Sequence, residues 1–148
     1  MSLNWSTFAV QRLRDYEDRK TATENIREQI KNLEEKFTSI RAATTDGIPV
    51  QGGNENRREE MLIHNISTRE ELKNNLDIIT REIAITEKGL AALTDEEKHI
   101  LTRFFILRGK GYVERLCDEL YVSKTRLYQK KDAALKKFTM ACYGVVEL

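Results

Sequence analysis

Proline and histidine are almost missing from this chain of 148 residues, and cysteine, glycine and aromatic residues are sparse. Pro49 is the only proline, and most of the seven glycines fall in expected loops or at expected helix ends, so little interrupts long helices. Cys117 and Cys142 are far apart with no CxxC spacing, which argues against a disulfide framework and against zinc. They read instead as buried thiols of a reducing cytosol. His64 and His99 are also far apart and lack the spacing of metal ligands. No apolar run approaches the ~18 residues that a membrane span requires. Met1 to Trp5 shows neither the charged start nor the apolar stretch of a secretory signal. Gly109-Lys110-Gly111 lacks the glycine spacing and the Lys-Ser/Thr ending of a phosphate-binding loop. No grouping of nucleophile, base and oxyanion donors stands out among the scattered carboxylates. The expectation is therefore a chain without catalytic residues, cofactor or metal.

What remains is 40% hydrophobic and 33% charged residues, a mixture suited to an all-α protein with narrow apolar seams. Residues 1–93 are expected to form a long helical hairpin or coiled-coil arm. Its first helix runs from about Trp5 to Ala42, with Ile26, Ile30, Leu33, Phe37 and Ile40 spaced four-three-four-three as a heptad seam. Phe8, Val10, Leu13 and Tyr16 are less regular. A loop is expected over about residues 44–56, where Asp46-Gly47, Pro49 and Gly52-Gly53 are turn formers. A second helix starts near Arg57, with a possible break where Ser67 and Thr68 precede Glu70 and Glu71. Its seam continues through Leu72, Leu76, Ile79, Ile83, Thr86, Leu90 and Leu93, and Gly89 is expected to interrupt its end. Each seam is narrow, so self-association into a homodimer or higher oligomer through these helices is expected.

The formal net charge of +1 hides an asymmetry. From Thr94 onward eleven Lys/Arg face eight Asp/Glu, while the rest of the chain carries fourteen against sixteen. Between Arg108 and Lys137 the balance is nine basic to four acidic, the footprint of a phosphate-binding surface. Residues 94–148 form the second expected domain, opened by a capping box in which the Thr94 hydroxyl caps an amide and Glu97 reaches back. The apolar stripe Ile100, Leu101, Phe104, Phe105 and Leu107 marks a first helix, ended by Gly109 and Gly111. A second helix over Tyr112–Leu120 buries Val113, Leu116, Cys117 and Leu120. After a short turn, Ser123 is a strong N-cap for a last helix from Lys124 to about Tyr143, with Leu127, Ala134, Leu135, Phe138 and Cys142 inward.

A short helix, a tight turn and a capped helix with a basic leading end describe a helix-turn-helix, whose last helix enters the major groove of double-stranded DNA. Lys124, Thr125, Arg126 and Gln129 are the expected base-reading residues; Arg126 suits guanine and Gln129 suits adenine. Arg108, Lys110, Ser123, Tyr128, Lys130 and Lys131 are the expected phosphate contacts, with Lys136 and Lys137 meeting phosphate or solvent.

The runs Leu93-Thr94-Asp95-Glu96-Glu97-Lys98, Tyr112-Val113-Glu114-Arg115-Leu116, Val122-Ser123-Lys124-Thr125-Arg126-Leu127-Tyr128 and Ala133-Ala134-Leu135 resemble the helix-turn-helix of sigma-factor region 4. With the closing Phe138 to Gly144 stretch, they resemble the ArpU/RinA group of phage and prophage regulators of Gram-positive bacteria. That resemblance covers about a third of the chain. It implies a cytoplasmic transcriptional regulator of bacterial or phage origin, an activator of late genes that touches RNA polymerase. Two competing readings are a DNA-packaging subunit of the small-terminase kind, which would assemble as a large ring, and a coiled-coil adaptor without DNA binding.

Overall fold

The computed structural model describes residues 4–43 and 52–146, and every element in them is helical. In chain order these are α1 (Trp5–Ala43), α2 (Gly52–Ala91), α3 (Asp95–Leu101) with a π-helical turn over Thr102–Ile106, α4 (Tyr112–Leu120) and α5 (Lys124–Tyr143). The protein is all-α. No helix among the described residues is long and apolar enough to cross a membrane.

The expected loop over 44–56 lies mostly outside the described residues, but its last five positions do not: α2 already begins at Gly52. Nor does α2 break at Ser67 and Thr68. The Thr68 hydroxyl donates to the His64 carbonyl one turn back (2.8 Å), so the residue satisfies itself inside the helix instead of capping a new one. Gly89 does not interrupt α2 either. It is buried, and a Cβ built there would stand 2.5 Å from Cys142 Sγ and 2.7 Å from Phe138 Cε2. The missing side chain is what admits α5 against α2.

Contacts divide the chain into two units, Met1–Lys20 with Arg81–Leu148, and Thr21–Thr80. The expected boundary at Thr94 falls inside the first unit, because the opening turns of α1 and the closing turns of α2 pack on α3 and α5. Ala9 and Leu13 from α1 and Leu90 from α2 share a core with Leu101, Ala134 and Phe138. Of the α1 residues that fit no heptad, Leu13 is explained by this shared core, whereas Phe8 is left 49% exposed.

Polar groups tie that core together. The side chain of Arg12 is only 11% exposed and pairs with Glu82 Oε2 at 2.7 Å. Its other donors reach the Glu82 carbonyl (3.0 Å) and the Tyr143 hydroxyl (2.9 Å). Burial alone would pull the Arg12 pKa down, but Tyr143 and Glu82 outweigh it and hold the guanidinium above its ordinary range. Nearby, burial and a hydrogen bond to Glu87 push the Tyr16 phenol up to about 12.

A second cluster in the same unit gathers Ile100, Phe104, Leu116 and Leu127, with Tyr112, Val113, Cys117, Leu120 and Val122 packed around it. The π turn serves both clusters. By closing Leu107 N–H onto the Thr102 carbonyl (2.8 Å) it inserts one extra residue, which lets Phe104 and Phe105 both face inward. Leu107, expected to be inward, is left 55% exposed. A regular 3.6-residue count had placed it on the buried stripe; the inserted residue rotates it off.

In the unit Thr21–Thr80, Thr23, Ile26 and Ile30 of α1 are buried, with Leu33, Phe37 and Ile40 half-buried. Asn65 of α2 is buried among them, donating to the Leu33 carbonyl (2.9 Å) while accepting from Arg69 Nε (2.9 Å). The Arg69 guanidinium sits 4.9 Å from the centre of the Phe37 ring. These contacts pair α1 with α2 inside one chain, and the buried amide marks one register of that pairing.

Candidate nucleic-acid interface

The surface begins with the way α3 is started. Thr94 Oγ1 accepts from Glu97 N–H (3.2 Å) and Glu97 Oε1 accepts from Thr94 N–H (3.0 Å), the reciprocal capping box. The Thr94 amide, with help from Lys137, holds the Glu97 carboxyl below its ordinary value of 4.5. The acidic first turn of α3 therefore points two carboxylates along α5: Glu96 meets Lys130 at 2.6 Å and Glu97 meets Lys137 at 3.0 Å.

α4 ends in a left-handed residue, Tyr121 (φ 55, ψ 44), whose N–H bonds to the Cys117 carbonyl. Glycine is the usual choice for such a turn; here the tyrosine side chain projects into solvent, 95% exposed. Val122 N–H also reaches the Cys117 carbonyl, at 3.2 Å. Ser123 then adopts extended backbone and its hydroxyl accepts from Arg126 N–H (3.1 Å), starting α5 as the sequence predicts.

The first two turns of α5 sort their side chains sharply. Leu127 is fully buried in the second core cluster. Lys124, Thr125, Arg126 and Gln129 are all exposed, and Arg126 Nη1 donates to Gln129 Oε1 at 3.4 Å. The structure thus brings the four expected base-reading residues onto one end of one helix. Thr125, Gln129, Asp132 and Lys136 follow each other at spacings of four, three and four, and all are exposed, so they form the outward line of α5. Asp132 belongs to that line although it was not among the expected reading residues; its place follows from counting helical turns outward from buried Leu127.

The six expected phosphate contacts separate into three groups. Arg108, Tyr128 and Lys131 gather around Phe104. Tyr128 meets Phe104 edge-on at 5.6 Å, and Tyr112 does the same at 5.1 Å. Arg108 lies 5.7 Å from the Tyr112 ring centre and donates through Nε to the Phe104 carbonyl (2.9 Å). Lys131 Nζ stands 5.6 Å and 5.9 Å from the Tyr128 and Phe104 rings and pairs with Asp132 Oδ1 at 2.6 Å. Lys110 is exposed on the loop that carries Arg108, and Ser123 is occupied by its cap. Lys130 stands apart: it points to the opposite flank, where Glu96 neutralises it. A lysine count cannot see this, since the partner lies 34 residues away in sequence.

A family profile described as a protein of unknown function, DUF1492, matches residues 36–139. The chain belongs to the DUF1492 family. The match runs from the last turns of α1 through α2, α3 and α4 and most of α5, and leaves the greater part of α1 outside it. No curated protein and no solved structure matches this DUF1492 chain.

Proposed function

We propose that this DUF1492 protein is a DNA-binding transcriptional regulator of phage or prophage type, an activator of late genes working in the bacterial cytoplasm. α5 is the helix that enters the major groove of double-stranded DNA, propped by α4. One observation carries this reading: Ser123 caps a helix whose first two turns expose Lys124, Thr125, Arg126 and Gln129 while Leu127 is wholly buried beneath them. A helix anchored in this way presents polar groups able to pair with base edges, on a support rigid enough to hold them in register.

The loop between α3 and α4 supplies Arg108 and Lys110 to the phosphate backbone, and Lys131 flanks the groove on the same side. On the flank where Glu96 and Glu97 take up Lys130 and Lys137 the charges cancel, so the side that carries Arg108 and Lys110 is the one that attracts the duplex. The helices of the N-terminal half join two copies, so two α5 helices read a repeated site. The resemblance to sigma-factor region 4 supports contact with RNA polymerase as the route to activation.

Selection of bound sequences from a random duplex pool, using the full chain, tests the reading. Recovery of one motif as an inverted repeat is expected. Binding should fall steeply with salt, because several phosphates are neutralised. Random recovery, or binding indifferent to salt, would defeat it.

A further inference from the structure

We infer that Asp132 is a specificity-determining residue, selecting a cytosine in the base pair next to the one read by Gln129. The inference rests on the DNA-binding reading of α5. α5 carries six Lys/Arg and a single carboxylate, Asp132. A lone acid on a helix that approaches a polyanion weakens binding unless it is placed at a base edge. Its location fits that exception. The side chain is 69% exposed and stands on the outward line with Thr125 and Gln129, not on the flank where Glu96 and Glu97 take up Lys130 and Lys137.

Its orientation is also held. Lys131 is only 20% exposed, its ammonium lying over the Phe104 and Tyr128 rings, and from there it binds Asp132 Oδ1 at 2.6 Å. The second carboxylate oxygen is left to accept from a ligand. An ionised carboxylate only accepts hydrogen bonds. In the major groove it therefore matches the cytosine N4 amino group, is repelled by guanine O6 and N7 and by thymine O4, and meets the adenine N6 amino group only beside the repelling N7. Three residues along α5 from Gln129 amount to a rise of ~4.5 Å, close to one base-pair step. The same charge disfavours any sequence lacking an amino group at that place, so Asp132 discriminates by rejection as much as by attraction.

The test is sequence selection from a random duplex pool with the full wild-type chain and with Gln129→Ala, Asp132→Asn and Asp132→Ala. Circular dichroism confirms that each variant is folded. In the wild type a C·G pair is expected at the position adjacent to the one that Gln129→Ala relaxes. Asp132→Asn should move that position to A·T, since an amide pairs with adenine N6 and N7. Asp132→Ala should lose ~10-fold of discrimination there while leaving the other positions intact. Both Asp132 variants should bind unrelated duplex more tightly, having lost a repulsion. An unchanged motif in both Asp132 variants would overturn the inference alone, reducing Asp132 to a surface partner of Lys131. Random recovery by the wild type would overturn the DNA-binding reading and this inference with it.

Discussion

At the scale of single residues, the tightest constraint is steric. Gly89 faces the half-buried Cys142 Sγ and the ring of Phe138, which is fully buried and has little room to retreat. Alanine is the better helix former by about 1 kcal/mol, yet overpacking a core costs about 1–3 kcal/mol. Gly89→Ala is therefore expected to destabilise the protein despite its gain in propensity, measured as a lower urea midpoint at unchanged slope. Leu127 poses the converse case. Truncation to alanine empties a fully buried site and should cost about 2–5 kcal/mol. Arg126→Ala, on the exposed side of the same turn, should leave the urea midpoint nearly unchanged. On the proposed reading it relaxes base preference at one position by about 1–3 kcal/mol, read from competition binding.

At the scale of elements, the helix starts decide the orientation of everything that follows them. Replacing Ser123 by alanine removes the acceptor for Arg126 N–H, a loss of about 0.5–2 kcal/mol by chemical denaturation, whereas Ser123→Asp should keep the cap. The α3 start has a pH signature. The Thr94 amide and Lys137 lower the folded-state pKa of Glu97, so the native state favours the ionised form. That contribution is fully present above the ordinary carboxylate range and is lost as pH falls through the depressed folded value. Glu97→Gln retains an acceptor for Thr94 N–H but not the ion pair with Lys137. Its stability should accordingly fall less steeply on acidification than that of the wild type, in thermal melts compared across the acid range. The lysine pairs give a parallel contrast in DNA binding. Lys130 is neutralised by Glu96, so Lys130→Ala should scarcely change the salt dependence of binding. Lys131 is paired with Asp132 at the same 2.6 Å, so Lys131→Ala should act mainly by releasing Asp132, whereas Lys110→Ala, at an exposed loop position, should reduce that dependence.

At the scale of the whole molecule, the described contacts pair α1 with α2 within one chain, through Leu33 and Asn65 in one unit and Arg12 and Glu82 in the other. The proposed dimer then builds on the exposed faces of the same helices. Sedimentation equilibrium should give twice the 17.2 kDa chain mass, with Asn65→Leu altering stability or register rather than simply dissociating the chains. A large ring would instead favour a packaging role. A monomer at working concentration would remove the reason to expect an inverted repeat.

The features legible in the sequence were those whose physics is local. The Thr94 and Ser123 caps, the span of α4 and the spacing from buried Leu127 to the exposed reading residues each depend on residues within a few positions of one another. Features that depend on a distant partner were not legible. The sequence showed Gly89 as a helix breaker, and only the approach of α5 turned it into a packing site. It placed Leu107 inward, where a π turn leaves it exposed, and it gave no sign that Lys130 pairs with Glu96. Leu13 fitted no regular seam until Leu101 and Phe138 arrived to share it, and Ala9 beside it gave no signal at all. Hydrogen bonds between neighbours are encoded by spacing alone, but which side of a helix is buried or neutralised depends on what the fold brings against it.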